Sequence, residues 1–394
     1  MTAKLMLLVE EAEKVIAGFP VSISAEPVPL AESLGRCLAE DVFSPGDVPE
    51  FDKSAMDGYA YLSGDASTEF RIVETIAAGT PPRVVVSTGQ CAKIMTGAMM
   101  PSGADRVVKR ECTVEENGFM RIVAAETNVN VRRRGEDLKA GKLVLDRGTR
   151  LRPAQVALLA SLGVAVVPTA RRPRVGIITT GSELVEPGKP LAPGQIYDSN
   201  SYSLSAQIRE AGAVPVRLGR VADHEKATAK AIASAIDECD VLILSGGVSA
   251  GDFDYVPSAL KQAGFTLYFE KIAVQPGMPT VFAGKAEKCA FGLPGNPVST
   301  FVIFEVFIKP LLLRKMGHAC FPQQQPAALA SAFSRSNCER TAFVPVILRD
   351  GRAELVSYHG SAHLHALGRA NALLRVPAGQ KAIAVGCTVD VRLI

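Results

Sequence analysis

The sequence predicts a multidomain α/β protein: a parallel, doubly wound α/β domain, an inserted β-rich module, a small helix/strand linking domain and a C-terminal β-barrel-like domain. Three observations lead there. Residues 170–318 alternate strand-like and helix-like runs, the pattern of a sheet with helices on both faces. Residues 45–134 are short strand-like runs cut by Gly and Pro turns. Residues 319–394 carry no long helical period and space valines among glycines, as in Ala382-Ile-Ala-Val-Gly-Cys-Thr-Val-Asp-Val-Arg-Leu, which suits a small barrel or sandwich.

Taken in order, the first 44 residues open on a helical spacing (Leu5, Leu8, Val9, Ala12, Val15, Ile16) and close on a short strand from Cys37 to Phe43. The β-rich module follows, with strands expected at Phe70–Ile76 and Cys91–Met95. Residues 135–169 hold a helix from Pro153 to Ser161, ended at Gly163, and a strand over 164–167. Their small size assigns them to the N-terminal piece, which leaves 45–134 as the insertion. The third region reads as strand 174–180, helix 201–212, strand 214–221, helix 225–237, strand 241–245 and helix 255–263. Strands at 267–274 and 289–293 and one helix from Pro297 to Met316 complete it.

Composition narrows the function. The 394 residues are 47% apolar and 21% charged, enough for ordinary cores in two to four domains. A net charge of +3, from 43 basic and 40 acidic residues, argues against nucleic acid as the main partner. The 8 cysteines are scattered, with no CxxC pair, which fits reduced thiols in the cytoplasm. No stretch resembles a signal sequence or a membrane span: the 301–313 run contains Glu305, Lys309 and Pro310. The chain is expected to be soluble and cytoplasmic.

The chemistry lies in glycine turns that each follow a strand. Thr180-Gly181-Ser182-Glu183, Ser245-Gly246-Gly247-Val248-Ser249-Ala250-Gly251-Asp252 and Pro294-Gly295-Asn296-Pro297 would meet on the carboxyl edge of a parallel sheet, around one phosphorylated small molecule. Neither a P-loop nor G-x-G-x-x-G is present. Glycines still let backbone N–H groups approach an anion, and Ser299, in the first turn after Asn296, is an oxyanion donor. Glu183, Asp223, Asp252 and Asp254 sit where carboxylates hold a divalent cation; each alone reads first as a cap or surface acid, and it is their joint placement on one sheet edge that favours the cation. Lys271 offers a fixed positive charge. Asp57 and Thr96, in turns of the inserted module, are candidates for a second wall. His359, His363 and His365 read as a solvent-facing loop.

Five motifs, Asp52-Lys-Ser-Ala-Met-Asp57-Gly-Tyr, Ile94-Met-Thr96-Gly-Ala with Pro101 and Gly103-Ala-Asp105, Thr179-Thr-Gly-Ser-Glu183-Leu, Ser245-Gly-Gly-Val-Ser-Ala-Gly-Asp252 and Leu293-Pro-Gly-Asn-Pro-Val-Ser299, together resemble the molybdopterin molybdenumtransferases. This is the MoeA-type family that also supplies the C-terminal domain of gephyrin. The resemblance implies insertion of molybdate into adenylylated molybdopterin, with Mg²⁺ and release of AMP. It also implies an elongated four-domain chain that forms a homodimer, its cleft lying between the α/β domain of one subunit and the inserted module of the other. The enzyme that adenylylates molybdopterin and cofactor-accepting proteins are further expected partners; nucleic acid and membrane are not.

By position, the catalytic set would be Asp57, Thr96, Glu183, Asp223 and Asp252, the last three also as metal ligands. Substrate contacts would come from Gly181, Ser182, Asp198, Asn200, Ser245, Gly246, Gly247, Ser249, Gly251, Asp254, Lys271, Pro294, Gly295, Asn296, Pro297 and Ser299. One departure stands out. Where the family carries Lys-Pro-Gly-Lys-Pro, this chain has Gln275-Pro276-Gly277-Met278-Pro279, so two positive charges are missing near the anions. Lower oxyanion affinity, compensation by Lys271 or a neighbouring arginine, or a divergent paralogue with altered oxyanion use such as tungstate are the readings this leaves. A non-catalytic scaffold or cofactor carrier is the other class; the retained Asp57, Glu183 and Asp252 oppose it. Related α/β enzymes that lack the inserted module are set apart by Asp57–Tyr59.

Overall fold

The computed structural model describes residues 6–221, 225–248, 255–319, 324–358 and 360–394. Two compact units emerge, one formed by Met1–Glu26 with Pro168–Ile394 and the other by Pro27–Val167.

The first unit is built on a six-stranded sheet in the order Val214–Val221, Arg174–Thr180, Val241–Ser245, Lys288–Leu293, Val281–Lys285, Thr266–Phe269. The first four strands are parallel and the last two antiparallel. Val241-Leu-Ile-Leu shows why an unbroken apolar run forms a central strand. Side chains alternate between faces: Val241 and Ile243 pack with Leu204 and Ile208 of helix Asn200–Glu210, whereas Leu242 and Leu244 pack with Ile232 and Leu260 of helices Glu225–Ala235 and Val256–Gln262. Each such side chain contributes about 1.5–3 kcal/mol by leaving water.

Two expectations fail here, both at the antiparallel edge. The strand expected over 267–274 is split. Thr266–Phe269 stays in the sheet, while the chain beyond it exchanges that ladder for Leu7, whose N–H donates to Lys271 O at 3.0 Å and whose carbonyl accepts from Ala273 at 2.7 Å. Val274–Gln275 then pairs in parallel with Thr341–Arg349 of the C-terminal sheet. The strand Val281–Lys285 escaped the sequence reading because its hairpin link is Ala286-Glu287, with Ala286 at a positive φ of 53°, in place of the usual Asn-Gly or Asp-Gly.

The helix expected from Pro297 to Met316 is a composite of Pro297–Ile303, a π-helical turn Phe304–Ile308 and Lys309–Lys315. Pro310 supplies the cause: it has no N–H for the carbonyl of Val306 and its ring crowds that turn. Buried Arg392 satisfies the freed groups, donating from Nη1 to the carbonyls of Glu305 at 2.8 Å and Val306 at 3.1 Å.

The C-terminal region closes into a five-stranded barrel, Thr341–Arg349, Arg352–Leu355, Gln324–Leu329, Thr388–Leu393 and Ala372–Val376, the last pairing back to the first. Ala327, Leu329, Val346, Leu374 and Val391 fill it. His363 and His365 flank the start of a short helix, Leu364–Leu367, where a loop was expected.

In the second unit a six-stranded sheet runs Arg106–Lys109, Gly58–Tyr61, Gln90–Ile94, Phe70–Ile76, Phe119–Ile122, Thr113–Glu116. Ala60, Ile76, Ala92 and Ile94 form one of its cores, and Tyr59, Phe70, Cys91 and Met120 another. Helix Pro153–Ser161 covers a separate cluster of Leu38, Val42, Leu151, Leu159 and Val167. The strand expected over Cys37–Phe43 is reduced to Val42–Phe43, and the one expected over 164–167 runs from Val166 to Ala170.

Candidate functional site

The strands Arg174–Thr180, Val241–Ser245 and Lys288–Leu293 end side by side, and the glycine turns that leave them face one cavity of about 350 Å³. Thr180 and Glu183 from the first turn, Ser245 and Gly247 from the second, and Pro294, Gly295 and Asn296 from the third line it, together with Asn200. Glycine is needed where these turns touch. Gly246 has φ of 98°, and a Cβ there would lie 2.5 Å from Thr180 Oγ1 and 2.8 Å from Thr180 O. At Gly181, φ 139°, a Cβ would stand 2.7 Å from the Glu183 carboxylate, which packs across the glycine.

Asn200, at the start of helix Asn200–Glu210, fastens the turns together. Its Nδ2 donates to Ser245 Oγ at 2.8 Å and to the Gly295 carbonyl at 2.8 Å. The Gly246 amide adds a bond to the Leu293 carbonyl at 2.9 Å. Beneath them, Asp198 is engaged within the fold: Oδ2 accepts from Thr179 Oγ1 at 3.2 Å and Oδ1 from the Ser201 amide at 3.0 Å, in the first helical turn.

Among the described residues, two buried polar atoms at this cavity have no partner, Thr180 Oγ1 and Asn200 Oδ1. Buried hydroxyl and amide oxygens are normally paired, because an unpaired one costs about 1–3 kcal/mol. Beside the exposed Glu183 carboxylate they form a set of oxygens suited to a hydrated or cation-bound ligand.

A second cavity of about 350 Å³ adjoins the first, sharing Pro279, Pro294 and Asn296 with it. Its lining includes Gln275, Met278, Ser299, Arg340, Tyr358 and Ser361. Arg340 is the one cation among the described residues of this lining. Ser299 is 3% exposed, and Asn296 Nδ2 donates to Ser361 Oγ at 2.9 Å, binding the turn to the C-terminal region. Burial pushes the Tyr358 phenol up to about 12, so it is a neutral hydroxyl at physiological pH.

The sequence-derived residues thus divide into groups. Glu183, Asn200, Ser245, Gly247, Pro294, Gly295, Asn296 and Ser299 line the two cavities; Gly181, Ser182, Gly246 and Pro297 belong to the same turns. Asp198 and Lys271 line neither. Asp57 and Thr96 are in the second unit, where Asp57 Oδ1 accepts from the Thr96 amide at 2.7 Å and from its hydroxyl at 2.6 Å. The Thr96 hydroxyl, then its amide, hold the Asp57 carboxyl below the usual range. Asp223, Ser249, Gly251, Asp252, Asp254 and His359 lie outside the described residues. Sequence reasoning missed Thr180 as a site residue, and also Arg340, Tyr358 and Ser361. Thr180 was readable as the hydroxyl opening its turn; the others come from a distant region with no motif of their own.

Known proteins share this domain order and fold. Residues 7–163 match the MoeA N-terminal region (domain I and II), 176–314 the probable molybdopterin binding domain, and 327–394 the MoeA C-terminal region (domain IV). The molybdopterin molybdenumtransferase of Bacillus subtilis is 38% identical, with 98% of this chain and 94% of that protein covered. Molybdopterin molybdenumtransferase 2 of Mycobacterium tuberculosis is 37% identical over 98% of this chain and 99% of its own length. The crystal structure of a molybdopterin biosynthesis MoeA protein from Pyrococcus horikoshii superimposes with a TM-score of 0.86 at 33% identity, covering 98% of this chain and 99% of that one.

Proposed function

The chain belongs to the MoeA-type molybdopterin molybdenumtransferase family, with a role in molybdenum cofactor biosynthesis, and we propose that it inserts molybdate into adenylylated molybdopterin and releases AMP. In that reaction the two pterin thiols give their protons to one oxo group of molybdate, which leaves as water while two Mo–S bonds form. A second water adds to the adenylyl phosphorus, the phosphoanhydride P–O bond breaks, and AMP departs.

The observation that carries the reading is the convergence of three glycine turns on one cavity that holds a carboxylate and two unpartnered buried oxygens. Because the pterin thiolates are themselves the metal ligands, the protein has mainly to position two anions and offset their charge. The two adjoining cavities suit different parts of the substrate pair. In the first, Glu183, with Thr180 Oγ1 and Asn200 Oδ1 nearby, offers the hard oxygens that Mg²⁺ takes when the remaining ligands are phosphate oxygens and water. Bound there, Mg²⁺ would neutralise negative charge on the phosphates.

In the second cavity, Arg340 with the hydroxyls of Ser299, Tyr358 and Ser361 is the set that suits an oxyanion. Gln275 and Met278 line this same cavity, so Arg340 is the neighbouring arginine that replaces the lost lysine charge. Asp57 and Thr96 complete the site from the partner subunit of a homodimer, Asp57 holding the Thr96 hydroxyl in place. An adenylylating enzyme delivers the substrate and cofactor-dependent proteins receive the product, in the cytoplasm.

The test is incubation of purified protein with adenylylated molybdopterin, Mg²⁺ and molybdate, reading AMP and active cofactor together. AMP and cofactor should appear in equal amounts. Absence of both with a folded, substrate-binding protein would favour a cofactor carrier.

A further inference from the structure

On the amino-terminal edge of the central sheet, opposite the crevice, lies a polar cavity of about 600 Å³ that the reaction does not use. Strands Arg174–Thr180, Val241–Ser245 and Lys288–Leu293 begin there. Among the residues lining the cavity are Ser22, Asp237, Lys285, Glu287, Lys288 and Lys315. Arg171 and Asp240 also line it, but they close on each other at 2.6 Å, and the second Asp240 oxygen accepts the Arg174 amide at 2.7 Å.

The lysines are not closed. Each ammonium meets a single backbone carbonyl: Lys285 that of Ala263 at 2.9 Å, Lys315 that of Glu287 at 2.8 Å, and Lys288 that of Ile236. None is ion-paired among the described residues. An ammonium has three donors, so each lysine keeps two N–H groups without an acceptor among the described residues. Lys315 is only 8% exposed; the Asp240 carboxylate acts on it electrostatically, but its one hydrogen-bond acceptor is a neutral carbonyl, and an anionic oxygen would satisfy the remaining donors.

The same walls carry carboxylates, which decides against a bare anion. Glu287 accepts the Ser22 hydroxyl, and exposed Asp237 has no partner among the described residues. Lysines beside one unpartnered carboxylate and one that already accepts a hydroxyl match a ligand that bears a phosphate at one end and hydroxyl donors at the other, as an acidic side chain beside a ribose does. The volume falls within the range of small-molecule sites.

We propose that this cavity binds a sugar phosphate, free or as the ribose phosphate of a mononucleotide, with Lys285, Lys288 and Lys315 on the phosphate and Asp237 and Glu287 on the hydroxyls. The site is independent of the crevice, so variants here should leave turnover unchanged.

Isothermal titration of the full-length protein with ribose 5-phosphate, AMP and inorganic phosphate tests it. One equivalent of ribose 5-phosphate or AMP should bind, with inorganic phosphate roughly tenfold weaker or more. Lys285→Gln and Lys288→Gln should each weaken the sugar phosphate by about tenfold. Asp237→Asn should weaken it while leaving inorganic phosphate unchanged. Equal binding of ribose 5-phosphate and AMP shows that the sugar phosphate suffices; binding of AMP alone, lost in the lysine variants, identifies the nucleotide. No binding of either, or binding that survives both lysine substitutions, overturns the site, as does inorganic phosphate binding as tightly as the sugar phosphates. Lys285 and Asp237 are exposed, so these two variants keep the test valid even where the half-buried Lys288→Gln fails to fold.

Discussion

Asp57 and Thr96 in the second unit and the crevice in the first handle polar groups in opposite ways. Asp57 Oδ1 is satisfied by the Thr96 amide and hydroxyl, a closed pair that joins two turns of that unit. In the crevice the pairing stops short. Asn200 uses its amide nitrogen to hold two turns together, but among the described residues its Oδ1 is unpaired, as is Thr180 Oγ1. Closed pairs give rigidity, while open buried oxygens mark where something other than protein must supply the hydrogen bond.

The sharpest way to break this contrast is Glu183→Gln. If the crevice carries the charge-handling chemistry, AMP release should fall by about 10²–10³ with the thermal midpoint unchanged; normal turnover would remove Glu183 from the site. Asn200→Ala comes next and should show both effects at once. Losing two hydrogen bonds leaves Ser245 Oγ and the Gly295 carbonyl unpaired, so urea unfolding should report a loss of about 3 kcal/mol and turnover should fall roughly 10²-fold. A variant with full stability would mean that the three turns hold their places without Asn200.

Arg340→Met isolates the second cavity. The molybdate concentration for half-maximal rate should rise about tenfold with little change in the maximal rate, and Gln275→Lys should move it the other way. Molybdate dependence that ignores both changes would place the oxyanion elsewhere.

The smallest effect is expected at the closed pair. Asp57 has a lowered pKa when folded, so its bond to Thr96 is fully present above the ordinary carboxylate range and is lost as pH falls through the folded value. Followed by NMR, the Thr96 amide shift should therefore titrate below that ordinary range, and Thr96→Val should move the Asp57 titration upward. No upward shift would mean that Thr96 does not set it.

Much of this was legible in the chain because the signals are local. Val241-Leu-Ile-Leu and Val175-Gly-Ile-Ile are apolar on both parities, which only a strand covered on both faces tolerates, and the hydroxyl- and acid-bearing glycine turns after them lead into one crevice. Pro153 placed its helix start to the residue. At 267–275 the deciding partners were remote, at 297–316 a remote partner joined Pro310, and at 281–285 the Ala286-Glu287 hairpin link lacked the usual turn signal. Leu7 draws Lys271–Ala273 out of the sheet, Thr341–Arg349 captures Val274–Gln275, and Arg392 stabilises the π-helical turn that Pro310 forces. Such partners leave no trace in the segment they reshape.

The amino-acid sequence by itself determined the layered α/β core, the barrel-like ending and the family, because alternation and turn chemistry act between near neighbours. Only the tertiary structure decided which polar groups are answered and which stay open. Asp198 proved to be a cap inside the fold, Lys271 lay away from both cavities, and Arg340 arrived from a distant region to line one of them. Hydrogen-bond satisfaction depends on what stands within about 3 Å in space, and chain order does not encode that distance for residues a hundred positions apart.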